Sequence, residues 1–443
     1  MRSTLQAWLY ALLVVVIAVC VAALSARFGM TADWSAGARA TISPQERALL
    51  AQLKGPLEAV SYTRPGDLRA ATSLLVARYQ RFKPTLKLKF VDPDLDPIAT
   101  QDAGIKADGE IVLQWHGHTQ HVMQLDEPDF SDALVRLARG GTRLVAFVTG
   151  DGERDATGNN AADLGKFVTR MTSLGVRALP LNLAEAAQVP GNADLVVLAS
   201  PQAELLAGAV QKLDDYVAKG GNLLWLTDSG GDDLGLAPLA QTLGIKRLPG
   251  MLFDEQGAAA GVRDPRMIVA TRYPAQTITD GFQMNTLFPQ TAALASLPDA
   301  QWKVQPILQS SAQSWNQIAP IDPAHAAFDP DTGELKGPLS FGYALSRLSP
   351  SPDKTQQRVV VIGDGDFLSN AYLADAGNLA FGERVFDWLL GDDALASVPQ
   401  AAPDCVLKPT RTDLGVLTFG YLIGLPILLI LIGLTITWRR RRR

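Results

Sequence analysis

The chain has 443 residues, enough for two or three domains of ordinary size, and its 47% hydrophobic and 19% charged residues are typical of globular proteins. Its net charge of −5 argues against the basic footprint of a nucleic-acid-binding protein. The two cysteines, Cys20 and Cys405, exclude a disulfide framework.

The N-terminal stretch is apolar and long enough to cross a membrane. Leu9 to Leu24 reads LYALLVVVIAVCVAAL, and extension back to Leu5 gives about 20 uncharged residues, which span a bilayer as a helix. The small residues around Ala23-Leu24-Ser25 also allow cleavage as a signal peptide. The apolar run is long for a signal-peptide core, so an anchor over residues 1–30 is favoured.

The C-terminal stretch predicts a second span. Leu414 to Trp438 carries no charge, and the five arginines that follow it resist translocation, so the segment 414–443 ends in a cytoplasmic tail. Arg2 favours the same side for the N-terminus. Both termini are therefore expected in the cytoplasm, and residues 30–412 outside the cytoplasmic (inner) membrane, in the periplasm or its equivalent. Six of the 40 basic residues are Arg2 and the terminal arginines, which leaves 34 basic against 45 acidic residues, so the outer region is acidic.

Residues 41–140 form a first predicted unit. Ser43-Pro44-Gln45-Glu46 is typical of a helix start with a capping box. Alternating and apolar runs then predict the order β-α-β-β-β-α. The predicted strands cover 57–62, 86–91, 110–115 and 119–125, and the predicted helices cover 67–82 and 129–139.

Residues 142–400 form a second, larger predicted unit. Continuous apolar strands alternate with helices, which indicates a parallel sheet covered on both faces. The predicted strands cover 143–148, 194–199, 222–226 and 358–362, and the predicted helices cover 164–174, 204–219 and 378–390. Residues 250–350 are rich in Pro, Ser and Gln and give no clear element.

Several short motifs of the chain occur in the order found in one protein family. They are Thr149 to Glu153 (TGDGE), Gly220 to Leu224 (GGNLL), Ser311 to Trp315 (SAQSW), Arg358 to Asn370 (RVVVIGDGDFLSN), Gly377-Asn378 and Asp387 to Leu389 (DWL). With them, the chain from Ile42 to Arg443 resembles the auxiliary, substrate-binding-like membrane component of ABC-type transport systems, a group that includes the gliding-motility proteins.

The resemblance implies the fold class and the partners. It implies an α/β protein with a doubly wound domain like that of class I amidotransferases over 142–400, a smaller thioredoxin-like α/β domain over 41–140, and two flanking transmembrane helices. An ABC permease and a separate ATPase subunit are the implied partners. The family usually has a histidine between the two glycines of the first loop, and Asp151 stands there in this chain, so a role that needs an imidazole is not expected.

Polar loops follow four of the predicted strands of the larger unit. The loops are Gly150 to Glu153, Ser200-Pro201, Asp228 to Gly230 and Asp364 to Asp366. Since parallel strands bring their carboxyl ends to one edge, these loops predict a pocket for a polar or cationic ligand. The same residues also suit ordinary turns and helix caps, and that is the favoured interpretation. The candidate ligand-binding residues are Asp151, Glu153, Asp228, Asp364 and Asp366.

His116, His118 and His121 form an H-x-H-x-x-H cluster that could bind a transition metal. Gly117 lies where a turn is expected, and an exposed hairpin is the favoured interpretation. We therefore predict neither a metal site nor a cofactor.

Catalytic motifs are missing from the sequence. The larger unit has no cysteine before Cys405, and no G-x-S-x-G elbow is present. No C-x-x-C occurs in the first unit, and Gly165-Lys166 lacks the rest of a P-loop. The sequence therefore predicts no enzyme, and any ATPase must be another chain.

The sequence thus predicts a non-catalytic, membrane-anchored accessory subunit of an ABC-type transport or export system, with no nucleic-acid partner and a cargo that the sequence does not name. The alternative is a membrane-tethered assembly or structural factor of the cell envelope that works without a transporter. An enzyme descended from an amidotransferase-like fold is a third hypothesis, which the missing cysteine opposes.

Overall fold

The computed structural model describes residues 42–230, 233–297, 301–318, 326–352 and 355–396, and the single positions 13, 427, 431, 433 and 438. The chain divides into two units, 1–402 and 403–443, and every element below belongs to the first. The predicted spans over 1–30 and 414–443 lie outside the described residues apart from those single positions. In the ranges that are described, none of the helices has the length and hydropathy needed to cross a membrane.

A four-stranded sheet forms the N-terminal part of the described chain. The elements of this part are α1 Pro44–Gln52, β1 Leu57–Tyr62, α2 Asp67–Gln80, β2 Leu86–Val91, α3 Pro97–Asp102, β3 Glu110–Trp115, β4 His118–Val122 and α4 Glu127–Arg139. In the sheet, β1 pairs parallel with β2 and antiparallel with β3, and β3 pairs antiparallel with β4, in the spatial order β2-β1-β3-β4.

The helix signals of this part are confirmed. The Ser43 side chain accepts from the Glu46 amide and the Glu46 carboxylate accepts from the Ser43 amide, so both halves of the predicted capping box are present. The short helix α3 was not predicted, although its signals are in the sequence: Asp96 caps it and Pro97 opens it.

A seven-stranded sheet and three short strand pairs form the larger part. The elements are β5 Arg143–Thr149, α5 Gly165–Ser173, β6 Val176–Asn182, β7 Leu195–Ala199, α6 Ala207–Ala218, β8 Leu223–Leu226, α7 Ala237–Leu243, β9 Ile245–Arg247, β10 Met251–Asp254, β11 Met267–Ala270, β12 Thr286–Pro289, β13 Leu294–Ser296, β14 Lys303–Gln309, β15 Ser314–Gln317, β16 Ser340–Leu348, β17 Gln356–Ile362, α8 Asn378–Leu389 and α9 Asp393–Ala396. The spatial order of the large sheet is β14-β16-β17-β8-β7-β5-β6, and the short pairs are β9-β13, β10-β15 and β11-β12.

The large sheet is mixed, which corrects the prediction of a parallel sheet. Strands β6, β5, β7, β8 and β17 are parallel, but β16 is antiparallel to β17, and β14 is antiparallel to β16. The reason lies in segment 250–350, which gave no clear element in the sequence and which supplies both β14 and β16, the antiparallel partner of β17. A register shift beside Pro306 in β14 breaks the alternation that reveals a strand.

Alternate residues of the central strands point to two separate cores. Val145 and Phe147 of β5 belong to a core shared with α5 and α8. Ala146 and Val148 belong to a second core shared with α6 and α7. Helices therefore cover both faces, as the continuous apolar strands predicted.

Candidate functional site

The four predicted loops do meet at one edge of the large sheet. The Arg154 amide donates to the Ala199 carbonyl at 3.0 Å, which joins the loops after β5 and β7. The Thr227 amide donates to the Ile362 carbonyl at 2.9 Å, which joins the ends of β8 and β17. We call this surface, formed by the loops 150–154, 199–203, 227–230 and 363–366, the carboxyl edge.

Arg154 lies at the centre of the carboxyl edge. Its side chain is only 8% exposed. Its Nη2 atom lies 3.0 Å from a carboxylate oxygen of Asp228, and its Nη1 atom lies 2.9 Å from one of Asp366. Nη1 also donates to the Ala162 carbonyl at 3.1 Å. Two of the predicted ligand-binding carboxylates are thus paired with one arginine of the chain itself.

The charged side chains around Arg154 shift one another's pKa values. Burial acts to lower the pKa of Arg154, but the carboxylates of Asp228, Asp366 and Asp364 outweigh it and raise that pKa. Burial raises the pKa of Asp366, against the opposing pull of Arg154. The guanidinium therefore stays charged and holds the edge together electrostatically.

Asp364 is fully buried beneath this ion-pair group. One of its oxygens accepts from the Asp366 amide, and the other has no hydrogen-bond partner among the described residues. Burial raises its pKa well above the ordinary value, and the charges of Asp366 and Asp228 raise it further. Asp364 therefore tends to keep its proton.

Asp151 and Glu153 lie in the same edge but outside the Arg154 group. A Glu153 carboxylate oxygen accepts from the Asp151 amide at 2.8 Å, so the carboxylate folds back onto its own loop. Burial raises the pKa of Glu153, although hydrogen bonds from backbone amides oppose the shift. The Asp151 carbonyl accepts from the amides of Gln202 and Ala203, which fixes the loop against the end of β7.

Ser200 adds a second feature that the sequence did not reveal. It ends β7 with φ of +52°, the left-handed region that non-glycine residues rarely adopt. Its side chain donates to the Asp228 carboxylate at 2.9 Å, and the residue is 1% exposed. The strained turn between β7 and α6 thus aims a hydroxyl at the ion-pair group.

Gly365 shows how closely the edge is packed. A Cβ atom there would lie 2.2 Å from the Ser200 hydroxyl and 2.8 Å from Nε of Arg154. The position of Arg154 directly after the TGDGE loop is the sequence signal that could have identified it. Nothing in the sequence shows that this one cation pairs with carboxylates of two loops that are distant along the chain.

The histidine cluster is split by a turn. His116 lies at the turn with φ of +48°, and its Nε2 atom contacts the Lys54 carbonyl at 3.1 Å. His118 begins β4, and His121 bonds to the buried Glu110. Among the residues that the structure describes, no group of three His, Cys, Asp or Glu side chains is placed to hold a metal ion.

A family model described as an ABC-type uncharacterized transport system matches residues 142–392. This range begins just before β5 and includes α8, so it contains the whole carboxyl edge. None of the curated proteins matches the chain.

Solved structures with a similar arrangement include the N-terminal domain of mmIFT52, at 16% identity and a TM-score of 0.42, over 56% of this chain and 97% of that one. A thua-like protein from Bacteroides uniformis matches at 10% identity and a TM-score of 0.30, over 56% and 91%. The exo-beta-1,4-mannosidase Op5Man5 from Opitutaceae bacterium strain TAV5 matches at 11% identity and a TM-score of 0.30, over 82% of this chain and 56% of that one. These scores are too low to transfer a function.

Proposed function

The chain belongs to the family of ABC-type uncharacterized transport systems, and from that membership we propose that it is a non-catalytic, membrane-anchored accessory subunit of such a system. The observation that carries the proposal is the family match over residues 142–392. It covers the large sheet together with the carboxyl edge, which is the part of the chain where a protein of this topology presents its functional loops.

The strand orders support the finer description of the fold. The parallel strands β6-β5-β7-β8-β17 place the first strand between the second and third, which is a doubly wound order and suits an amidotransferase-like domain. The order β2-β1-β3-β4, with β1 and β2 parallel and the other pairs antiparallel, suits the thioredoxin-like description of the smaller part.

The state of Ser200, at the turn that follows β7, supports a non-catalytic role. Ser200 has the strained backbone of a nucleophile there, but it is buried and its hydroxyl donates to Asp228, which is itself paired with Arg154. A nucleophilic serine needs access to substrate and a general base. The histidines of the described residues are all in the hairpin of β3 and β4 and do not supply that base.

Internal ion pairs and burial reduce the number of candidate ligand-binding residues. Asp228 and Asp366 are tied to Arg154, and Asp364 is buried. Asp151 and Glu153, whose loop lies outside that group, are the part of the carboxyl edge that we propose contacts a polar ligand.

The chain is proposed to be held in the cytoplasmic membrane by helices over 1–30 and 414–443, with both termini inside and the α/β part outside. The anchors would dock on a permease, and a separate subunit would hydrolyse ATP. The apolar stretches and the terminal arginines of the sequence support this placement.

Labelling of introduced cysteines tests the placement, in a background in which Cys20 and Cys405 are replaced by serine. A cysteine at exposed Gln101 should react with a membrane-impermeant maleimide in intact cells, and a cysteine placed after Arg443 should react only after lysis. The reverse pattern would overturn the topology.

Co-purification from the native membrane in mild detergent tests the function. The proposal expects a P-loop ATPase and a multi-span permease to be recovered with the full-length chain. Recovery of other envelope proteins without these two would support the alternative, an assembly factor that works without a transporter.

A further inference from the structure

A large cleft lies at the opposite end of the seven-stranded sheet. It has a volume of about 470 Å³, within the range of about 300–1,000 Å³ that small-molecule sites occupy. The loop 187–194 before β7 forms one wall, and the C-terminal half of α6 forms the other. Gly221, which precedes β8, and Ser351, which precedes β17, also line it. We call it the amino-edge cleft, because these residues come before the parallel strands.

In the cleft, the aromatic ring of Tyr216 packs directly against Gly221. Tyr216 lies so close to Gly221 that a Cβ atom there would be 2.3 Å from the ring. The Tyr216 hydroxyl donates to the Asn222 carbonyl at 3.1 Å. Because a side chain at position 221 would displace the ring, the glycine is needed for the shape of the cleft.

Lys212 places a cation in the cleft, and its partners among the described residues are neutral. Its ammonium donates to the carbonyls of Leu183 and Ala186, each at 2.7 Å. A lysine has three N–H donors, so one remains. Two carbonyl groups fix the position of the charge without cancelling it, and a half-buried ammonium in this state attracts an anionic group.

Three more charged residues line the same cleft: Lys219, Asp194 and Asp215. Asp194 accepts from the Leu144 amide at 2.8 Å, and Asp215 accepts from the Gln211 side chain at 2.9 Å. In the part of the chain that the structure describes, none of these four charged side chains, Lys212 included, has an oppositely charged group within 4.0 Å. The cleft thus presents two cations and two carboxylates that do not neutralise one another.

We propose that the amino-edge cleft binds a small zwitterion, an amino acid or a short peptide. Its carboxylate would meet Lys212 and Lys219, and its ammonium would meet Asp194 and Asp215. A ligand with both charges pairs with the lysines and with the carboxylates of the cleft, whereas a ligand with one charge leaves the groups of one sign unpaired and desolvated. This site is separate from the carboxyl edge and does not rest on the transporter proposal.

Calorimetric titration of the full-length chain in detergent with the dipeptide Ala-Ala tests the site. N-acetylalanine and alaninamide, each of which carries one of the two charges, serve as matched probes. Lys219→Met and Asp215→Asn are the informative variants, because among the described residues neither side chain forms a hydrogen bond to a backbone group. Each lost charge-assisted contact should weaken the binding of Ala-Ala by about tenfold or more. Lys246→Met, which removes an exposed lysine on β9, should bind like wild type.

Three results would overturn the site. One is the absence of Ala-Ala binding to the wild-type chain at millimolar concentration. Another is equal binding of Ala-Ala and the two singly charged probes. The third is unchanged binding in both Lys219→Met and Asp215→Asn. None of these results bears on co-purification with a transporter, so the two proposals fail independently.

Discussion

The two ends of the seven-stranded sheet use their charges in opposite ways. At the carboxyl edge, Arg154 is paired with Asp228 and Asp366 inside the protein. At the amino-edge cleft, Lys212 and its charged neighbours face one cavity without ion pairs among the described residues. Around Arg154, the end at which an open α/β sheet ordinarily binds ligands is therefore occupied by internal ion pairs, and a large open cleft lies at the other end.

This comparison separates charge that stabilises a fold from charge that is free to bind. A buried charge that loses its partner destabilises the protein strongly, whereas an exposed charge can be removed at little cost. Substitutions in the ion-pair group around Arg154 should therefore act on stability, and substitutions at the cleft should act on ligand binding.

Arg154→Met should cause the largest loss of stability. It leaves the carboxylates of Asp228 and Asp366 without their cation, and removal of one partner of a buried ion pair costs about 3–5 kcal/mol. Chemical denaturation of the full-length chain in detergent measures the loss. Arg177→Met, at an exposed position of β6, is the matched control and should change stability by less than about 0.5 kcal/mol. Equal stability of the two variants would show that the carboxyl edge is not held by Arg154.

Gly365→Ala should be the next most harmful change. The added methyl group would meet the Ser200 hydroxyl at 2.2 Å and Arg154 at 2.8 Å, and overpacking of this kind costs about 1–3 kcal/mol. Gly208→Ala in α6 is the control, because a Cβ atom there meets nothing within 4 Å. The control should be neutral or slightly stabilising, since alanine favours a helix. A neutral Gly365→Ala would mean that the edge is looser than its distances indicate.

Asp364→Asn should remove part of the pH dependence of stability. Burial raises the pKa of Asp364 in the folded chain, so the folded state holds a proton that the unfolded chain releases above about pH 4. Its contribution to stability is complete below that pH and is lost as the pH rises through the folded-state value. Melting temperatures of both proteins between about pH 4 and pH 8 should fall more steeply for wild type than for the variant. Parallel curves would contradict the assignment of a retained proton to Asp364.

Lys219→Met should have the smallest effect on stability, within about 0.5 kcal/mol, because the side chain is exposed. Denaturation of the ligand-free variant checks this expectation. A large loss would place Lys219 in the fold rather than in the binding surface, and the contrast between the two ends of the sheet would then disappear.

Much of the fold could be predicted from local patterns. The apolar run of β7 and the capping box at Ser43 specify their elements without help from distant residues. Strands β6 and β14 were missed because Pro180 and Pro306 interrupt them, and proline is tolerated there because both strands lie at edges of the sheet. Hairpin pairing of β16 with β17 depends on contacts that a run of residues does not show.

The position of the candidate site could be predicted from the sequence, but the ion pairs that occupy it could not. That the loops containing Asp228, Asp364 and Asp366 meet at one edge followed from parallel strands. Tertiary packing pairs Arg154 with two of these carboxylates. It also gives Ser200 a strained backbone and a hydrogen bond to Asp228. The mixed charges of the amino-edge cleft were not singled out, because they come from α6 and the loop before β7, which carry no motif.

The central claim, that the chain is an accessory subunit of an ABC-type transport system, is tested most directly by a paired co-purification. The full-length chain and a variant that ends at residue 413 are purified side by side from the native membrane in mild detergent, and the bound proteins are identified by mass. The account predicts that a P-loop ATPase and a multi-span permease accompany the full-length chain and are lost from the shortened one. Recovery of neither partner with the full-length chain would contradict it.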